Sequence, residues 1–238
     1  MRLINWNIQR HGPRTRKAVS LVSDIEVLNP DLVILTEAHE GSLDRFGGHT
    51  LSHRGYHHDR KRDSERLVLM WSRAPWQEVT LSPDLQHNGG ALLGRTHVGG
   101  RSVHCLALCI PYHMSWNVPR QAGKIQPWAQ HRKFLTLLQA EMPRILQHSP
   151  LIIAGDFNQR MPRTRWGAKA PNAHLREVFS ETTFVTEGPL APLDLQTIDH
   201  VALSGPLTAR SVTALSQFDA NGTERSDHFG VLADLDWV

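Results

Sequence analysis

The chain has 238 residues, 40% of them hydrophobic and 21% charged, the balance of a folded globular protein and not of a disordered or fibrous one. No run approaches the roughly 20 apolar residues needed to cross a bilayer. The formal net charge of +3 is only mildly basic, so the placement of charge says more than its sum.

Taken in chain order, the first residues, Met1-Arg2-Leu3-Ile4-Asn5-Trp6-Asn7, read as a strand over 2–8. They lack the basic, apolar and small-residue zones of a signal peptide, so a cytoplasmic location is expected. A helix is predicted over 15–28 and strands over 32–36, 66–72, 91–97 and 102–110. In the long helix predicted over 128–147, Phe134, Leu137, Leu138, Met142, Ile145 and Leu146 recur at helical spacing, and Pro150 ends the segment. A strand over 151–155, a helix over 173–180 and strands over 197–204, 208–216 and 229–236 complete the chain. No linker or low-complexity tract interrupts it, so residues 1–238 are read as one domain. Many short strands with few helices predict a two-sheet sandwich with outer helices.

One pattern occurs twice. A helix ends, a residue pair closing on proline follows, and an apolar strand then runs into an acid: Asn29-Pro30-Asp31-Leu32-Val33-Ile34-Leu35-Thr36-Glu37, and again Ser149-Pro150-Leu151-Ile152-Ile153-Ala154-Gly155-Asp156. Such apolar runs read as buried central strands. Each delivers a carboxylate at a strand's C-terminal end, where open sheets collect ligands. Cys105 and Cys109 share one predicted strand; four residues span about 13 Å at roughly 3.3 Å each, too far for a disulfide. Two free thiols suit a reducing compartment.

The histidines, 15 in all, show no zinc-like spacing with a cysteine pair. His49, His53, His57 and His58 are read as structural or surface residues. Trp71 and Trp76 are read as packing residues in preference to base-stacking ones. Two basic clusters stand out: Arg10, Arg14, Arg16 and Lys17, then Arg160, Arg163, Arg165 and Lys169.

The specific signal is a set of motifs in order. Ile4-Asn5-Trp6-Asn7-Ile8 comes first and Thr36-Glu37 second. Gly155-Asp156-Phe157-Asn158, Ile198-Asp199-His200-Val201 and Ser226-Asp227-His228-Phe229 follow. This series resembles the endonuclease/exonuclease/phosphatase superfamily from Asn7 to the last strand. The resemblance implies a deoxyribonuclease I-like fold, a four-layered α/β/β/α sandwich of two mostly antiparallel sheets. It also implies phosphoester hydrolysis by metal-activated water.

The residue types make chemical sense unaided. An anionic phosphate repels a nucleophile, so a catalyst must neutralise charge and activate water. Glu37, Asp156 and Asp227 supply hard carboxylate oxygens, and Asn7 and Asn158 neutral amides. That set favours Mg²⁺ or Mn²⁺ over Zn²⁺.

By resemblance, Glu37 is the principal metal ligand, with Asn7 beside it and Asp227 contributing to the metal environment. Asp156 orients or deprotonates the attacking water, and Asn158 donates to a phosphate oxygen. His228 contacts the scissile phosphate, and Asp199 buttresses His228. Two departures stand out. Cys109 falls where the family usually places a phosphate-contacting His or Tyr, a role that Tyr112 or His113 could fill from the following loop. Gln9 stands where nucleic-acid-processing members often carry an acid, which weighs against a second metal site.

The substrate is less sharply marked. The loop Arg160-Met161-Pro162-Arg163-Thr164-Arg165-Trp166-Gly167 mixes cations with a ring, as phosphate-backbone binding and base stacking require. Arg160, Arg163, Arg165 and Trp166 are therefore candidate substrate contacts, the resemblance adds His113, and nucleic acid is the favoured substrate. A small phosphorylated metabolite or lipid headgroup is the alternative. A third reading is an inactive binding module, which would normally have lost one of the acids or the terminal histidine; all are present. A monomer is the default expectation.

Overall fold

In a computed structural model, residues 1–55, 63–115, 126–165 and 167–238 are described. The predicted residues Trp166, His57 and His58 lie outside them. The elements, in chain order, are β1 (Arg2–Asn7), α1 (Arg16–Val27), β2 (Leu32–His39), β3 (His49–His53), β4 (Glu65–Ser72), β5 (Gln77–Val79), α2 (Pro83–Asn88), β6 (Gly90–Val98) and β7 (Arg101–Cys109). They continue with α3 (Ala129–Ile145), β8 (Leu151–Asp156), α4 (Lys169–Val178), β9 (Thr183–Phe184), β10 (Pro189–Leu190), β11 (Leu195–Gln196), β12 (Asp199–Ser204), β13 (Leu207–Leu215) and β14 (Gly230–Trp237).

One six-stranded sheet runs β13-β14-β1-β2-β4-β3 and a second runs β5-β6-β7-β8-β12-β9. Each holds one parallel pair, β1 with β2 and β7 with β8, among antiparallel neighbours. The parallel pairs are joined through α1 and α3, because parallel strands need a crossover. The two sheets thus repeat one order of parallel and antiparallel pairings, and the repeated proline-strand-acid pattern maps onto β2 and β8.

Three apolar layers hold the sandwich together. Residues such as Ile34, Met70, Leu92, Cys105, Ile152 and Val231 meet between the sheets. Leu21, Val22 and Ile25 of α1 pack on the outer face of the first sheet against Ile4, Val33 and Leu69. Phe134, Leu138 and Leu175 of α3 and α4 cover the second sheet over Leu106, Leu108 and Ile153. The expected four layers are present, with Trp71 in the core, 3% exposed, and its indole donating to the Gly47 carbonyl. Both cysteines are free and buried.

Several elements differ from the sequence reading. β2 runs past the predicted 36 to His39, so Glu37 lies within the strand and not at its end. α4 begins at Lys169, four residues before the predicted 173, since Pro171 sits in the first turn, where a missing N–H costs nothing. β3 and α2 were not anticipated. β3 is a polar edge strand, and α2 has six residues, too few to display a helical period. No helix among the described residues is long and apolar enough to cross a membrane.

Candidate active site

A polar link ties the two sheets directly beneath the site. Asn5 of β1 is fully buried, and its amide donates to the Gly155 carbonyl at 3.1 Å and the His200 carbonyl at 3.3 Å. Gly155 is held at φ +145°, and a Cβ there would lie 1.8 Å from the Leu108 carbonyl oxygen. Only glycine lets β7 and β8 approach this closely just before Asp156.

Asp156 ends β8 and is 2% exposed. One oxygen accepts from Asn7 Nδ2 at 3.1 Å, and the other accepts the Asn158 backbone N–H at 2.8 Å. Burial first, then the charge of Asp199, holds this carboxyl well above the usual range; His228 and the Asn158 N–H act the other way. Asp199 opens β12 in register with Asp156. Its Oδ2 lies 2.6 Å from His228 Nδ1, the length of a charge-assisted hydrogen bond. Burial alone would push the His228 imidazole down. The charge and hydrogen bond of Asp199, with Asp156 and Asp227 behind them, outweigh that and lift it to about 10. The dyad that the resemblance implied is therefore assembled from residues far apart in sequence.

The loop carrying His228 is pinned to β1. Ser226 Oγ donates to the Asn7 carbonyl at 2.7 Å and accepts the His228 N–H at 3.2 Å, while Trp6 Nε1 donates to the His228 carbonyl at 2.9 Å. Asp227 is exposed, 3.9 Å from His228 Nε2. Ser226 and Asn5 were not singled out from sequence. The legible signal was two amides, Asn5 and Asn7, in a strand otherwise fit for the core, where each needs a partner.

Glu37 acts on this network through its charge, which also raises the proton affinity of Asp156. The Glu37 side chain is 26% exposed and accepts from Arg10 Nη2 at 2.9 Å. Gln9, Arg10, Glu37 and Asn158 all adopt left-handed backbone conformations with φ of 48–55°, a concentration of strain typical of functional sites. Among the described residues, Asp156, Asp199 and His228 form a metal-competent trio, with ligand atoms within 4.8 Å of one another. This is not the predicted metal set of Glu37, Asn7 and Asp227. Because the Nδ1 of His228 is already engaged by Asp199, the trio reads as a proton-holding network. The Glu37 side offers hard oxygens, and the hydroxyl of Thr36, its neighbour in β2, is buried without a hydrogen-bond partner among the described residues. That donor set fits a small divalent cation, which binds through one or two carboxylates.

Asn158 donates its side-chain amide to the Ile110 carbonyl at 2.8 Å, which fixes its position; the rest of the amide stays available for a phosphate oxygen. Cys109 pairs in register with Asp156 and is buried, while Tyr112 and His113 lie exposed past Pro111. A groove of about 370 Å³ opens over Asp199, Asp227 and His228, with Arg160 and Thr164 on one wall. Arg163 donates to the Thr164 and Gly167 carbonyls at 3.1 and 2.8 Å, so it shapes its own loop, and it lines an adjoining pocket. Arg165 is exposed in the same loop.

Comparison with known proteins agrees with this fold. The sequence profile of the Endonuclease/Exonuclease/phosphatase family matches residues 4–228. No curated protein matches the chain significantly. Among solved structures, a 3' phosphatase from Neisseria bound to product DNA hairpin superposes with a TM-score of 0.70 at 16% identity, over 100% of both chains. The human Nocturnin catalytic domain with bound sulfate gives 0.67 at 18%, covering 100% of this chain and 93% of that one. D. rerio TDP2 complexed with single strand DNA product gives 0.62 at 15%, over 99% and 98%.

Proposed function

This chain belongs to the endonuclease/exonuclease/phosphatase family of hydrolases, and we propose that it is a divalent-metal-dependent phosphodiesterase acting on DNA or RNA. Glu37, with Asn7 beside it and Asp227 at the groove's edge, would hold Mg²⁺ or Mn²⁺. A cation there supplies charge neutralisation to the phosphate and acidity to water.

The chain's own residues do the rest. Asp156 is held by Asn7 and the Asn158 N–H with its proton affinity raised, which suits a carboxylate that must take a proton from water near neutral pH. His228 is kept cationic by Asp199; it donates to a phosphate oxygen or passes a proton to the leaving oxygen. Asp199 holds Nδ1, so Nε2 is left to face the substrate. Asn158 adds a neutral donor to the phosphate.

The observation that favours nucleic acid is the position of Arg160. It lines the catalytic groove and also the pocket next along, so a second phosphate of a polymer would meet a cation. Two of the solved structures above were bound to product DNA. The deciding experiment is a hydrolysis panel with Mg²⁺ and with Mn²⁺ over single- and double-stranded DNA, RNA, abasic DNA, inositol phosphates and a generic diester. Cleavage of oligonucleotides well above the small esters is expected. Turnover confined to a small phosphorylated metabolite or lipid headgroup would replace this reading.

A further inference from the structure

Beside the catalytic groove lies a second pocket of about 200 Å³. It falls below the roughly 300–1,000 Å³ of a site for a drug-sized ligand, the scale of one planar ring system. Arg160, Thr164 and Ile198 belong to the walls of both spaces, and Asn158 belongs to this one. A single layer of side chains therefore separates the pocket from His228 and Asp199. The lining differs in kind from the groove's. The groove is edged by Asp194, Asp199 and Asp227, whereas the pocket has no acidic residue among the described residues and carries Arg160 and Arg163.

Trp128 supplies the aromatic wall, and the structure goes to some length to fix it. Its backbone adopts φ +68°, a conformation rare for a bulky residue. Its N–H donates to the His113 carbonyl at 2.7 Å. Its ring meets His131 edge to face at a centroid distance of 5.0 Å and lies 5.7 Å from His113. His131 is fully buried, with Nδ1 donating to the Pro111 carbonyl at 2.7 Å and Nε2 accepting from Gln159 Nε2 at 2.7 Å. Gln159 is held in turn by His200, whose Nε2 donates to the Gln159 carbonyl at 2.8 Å. The ring platform is thus braced against the same loop that carries Asp156 and Asn158. Asn172 is 4% exposed and spends its amide hydrogens on the Arg160 carbonyl and Met161 sulfur. Its Oδ1 carries no hydrogen bond among the described residues and remains as an acceptor.

We propose that this pocket is a nucleobase subsite. Trp128 stacks the base of a nucleotide flanking the reacting phosphate, Arg160 and Arg163 meet its backbone charge, and Asn172 accepts from an exocyclic amino group. The assignment rests on the nucleic-acid reading above. A ring wall beside cations is what single-strand binding uses, because every base has a π-face.

The test compares a single-stranded oligonucleotide with a generic phosphodiester too small to span both spaces. Loss of base stacking is worth 1–3 kcal/mol, roughly 5–150-fold in affinity. Trp128→Ala should raise KM on the oligonucleotide within that range and leave KM on the small diester nearly unchanged. Trp128→Phe, which keeps a ring, should restore most of the loss. Independently of any variant, an oligonucleotide with 2-aminopurine next to the cleavage site should show quenched fluorescence on binding the wild-type protein. Oligonucleotide cleavage without that quenching, or equal losses on both substrates in Trp128→Ala, would overturn the subsite while leaving the nuclease reading standing. A wild-type protein that hydrolyses the small diester but no oligonucleotide would overturn both.

Discussion

The two crossover units, β1–α1–β2 and β7–α3–β8, each deliver a carboxylate from the C-terminal part of the same kind of strand, yet to opposite surroundings. Glu37 emerges partly exposed, on strained backbone, paired with Arg10. Asp156 emerges buried, between an asparagine, a second carboxylate and an imidazolium. A hydrated carboxylate can exchange an arginine for a metal ion at little cost. A buried one resists charge and so is suited to receive a proton. The duplicated architecture supplies two strand ends; the partners around each decide its chemistry.

The largest effects should fall on the proton-handling side. Asp156→Asn and His228→Ala should each lower kcat by about 10²–10⁴-fold in saturating Mn²⁺, with circular dichroism showing the fold intact. An Asp156→Asn enzyme retaining more than about a tenth of the rate, a loss under roughly 1.4 kcal/mol in barrier, would remove Asp156 from the water-activating role.

A second effect separates the sides by pH. His228 is raised to about 10 in the folded protein, against an ordinary value near 6.5. Its pairing therefore contributes fully below about 6.5 and is lost as pH rises through about 10. In metal-free buffer, the Tm gap between wild type and His228→Gln should be widest near pH 6.5. It should narrow toward pH 10 by about 2–4 °C for each kcal/mol of pairing lost. A gap that does not change with pH would mean that Asp199 does not hold the proton on His228.

Smaller effects belong to the rim. Replacing Arg160, Arg163 and Arg165 with Ala should reduce the log–log salt dependence of oligonucleotide binding by roughly 0.9 (duplex) or 0.7 (single strand) for each phosphate no longer neutralised. An unchanged slope would take these arginines away from the backbone. Smallest of all, Cys109→Ser should change kcat by less than about threefold, under roughly 0.7 kcal/mol of barrier, since the water-activating set is complete without a thiol. A phosphorylated cysteine trapped on the enzyme would refute that mechanism.

Much of this was legible in the sequence, for reasons that differ by residue. β2 and β8 announce themselves because a strand buried on both faces must be apolar throughout and can end only on a polar residue. The edge strand β3 gave no such signal, since His49-Thr50-Leu51-Ser52-His53 buries little. α2 did carry one: Ser82 caps it and Pro83 opens it, a start signature that needs no periodicity. In the site, the motif order marked Glu37, Asp156, Asp199, Asp227 and His228 as candidates, but only the fold brings Asp199 within 2.6 Å of His228. The Arg10–Glu37 pair, the Ser226 clamp and the His131–Gln159–His200 brace depend on the meeting of distant segments, which no local pattern encodes.

The division of labour between the two carboxylates is tested most directly by activation curves, initial rate against Mn²⁺ concentration, for wild type, Glu37→Gln and Asp156→Asn. Glu37→Gln should shift the midpoint to higher Mn²⁺ by about tenfold or more, near 1.4 kcal/mol of binding, and recover part of the rate at saturation. Asp156→Asn should leave the midpoint near that of wild type and drop the plateau by at least about a hundredfold. The reverse pattern, a shifted midpoint for Asp156→Asn and an unshifted one for Glu37→Gln, would contradict the account.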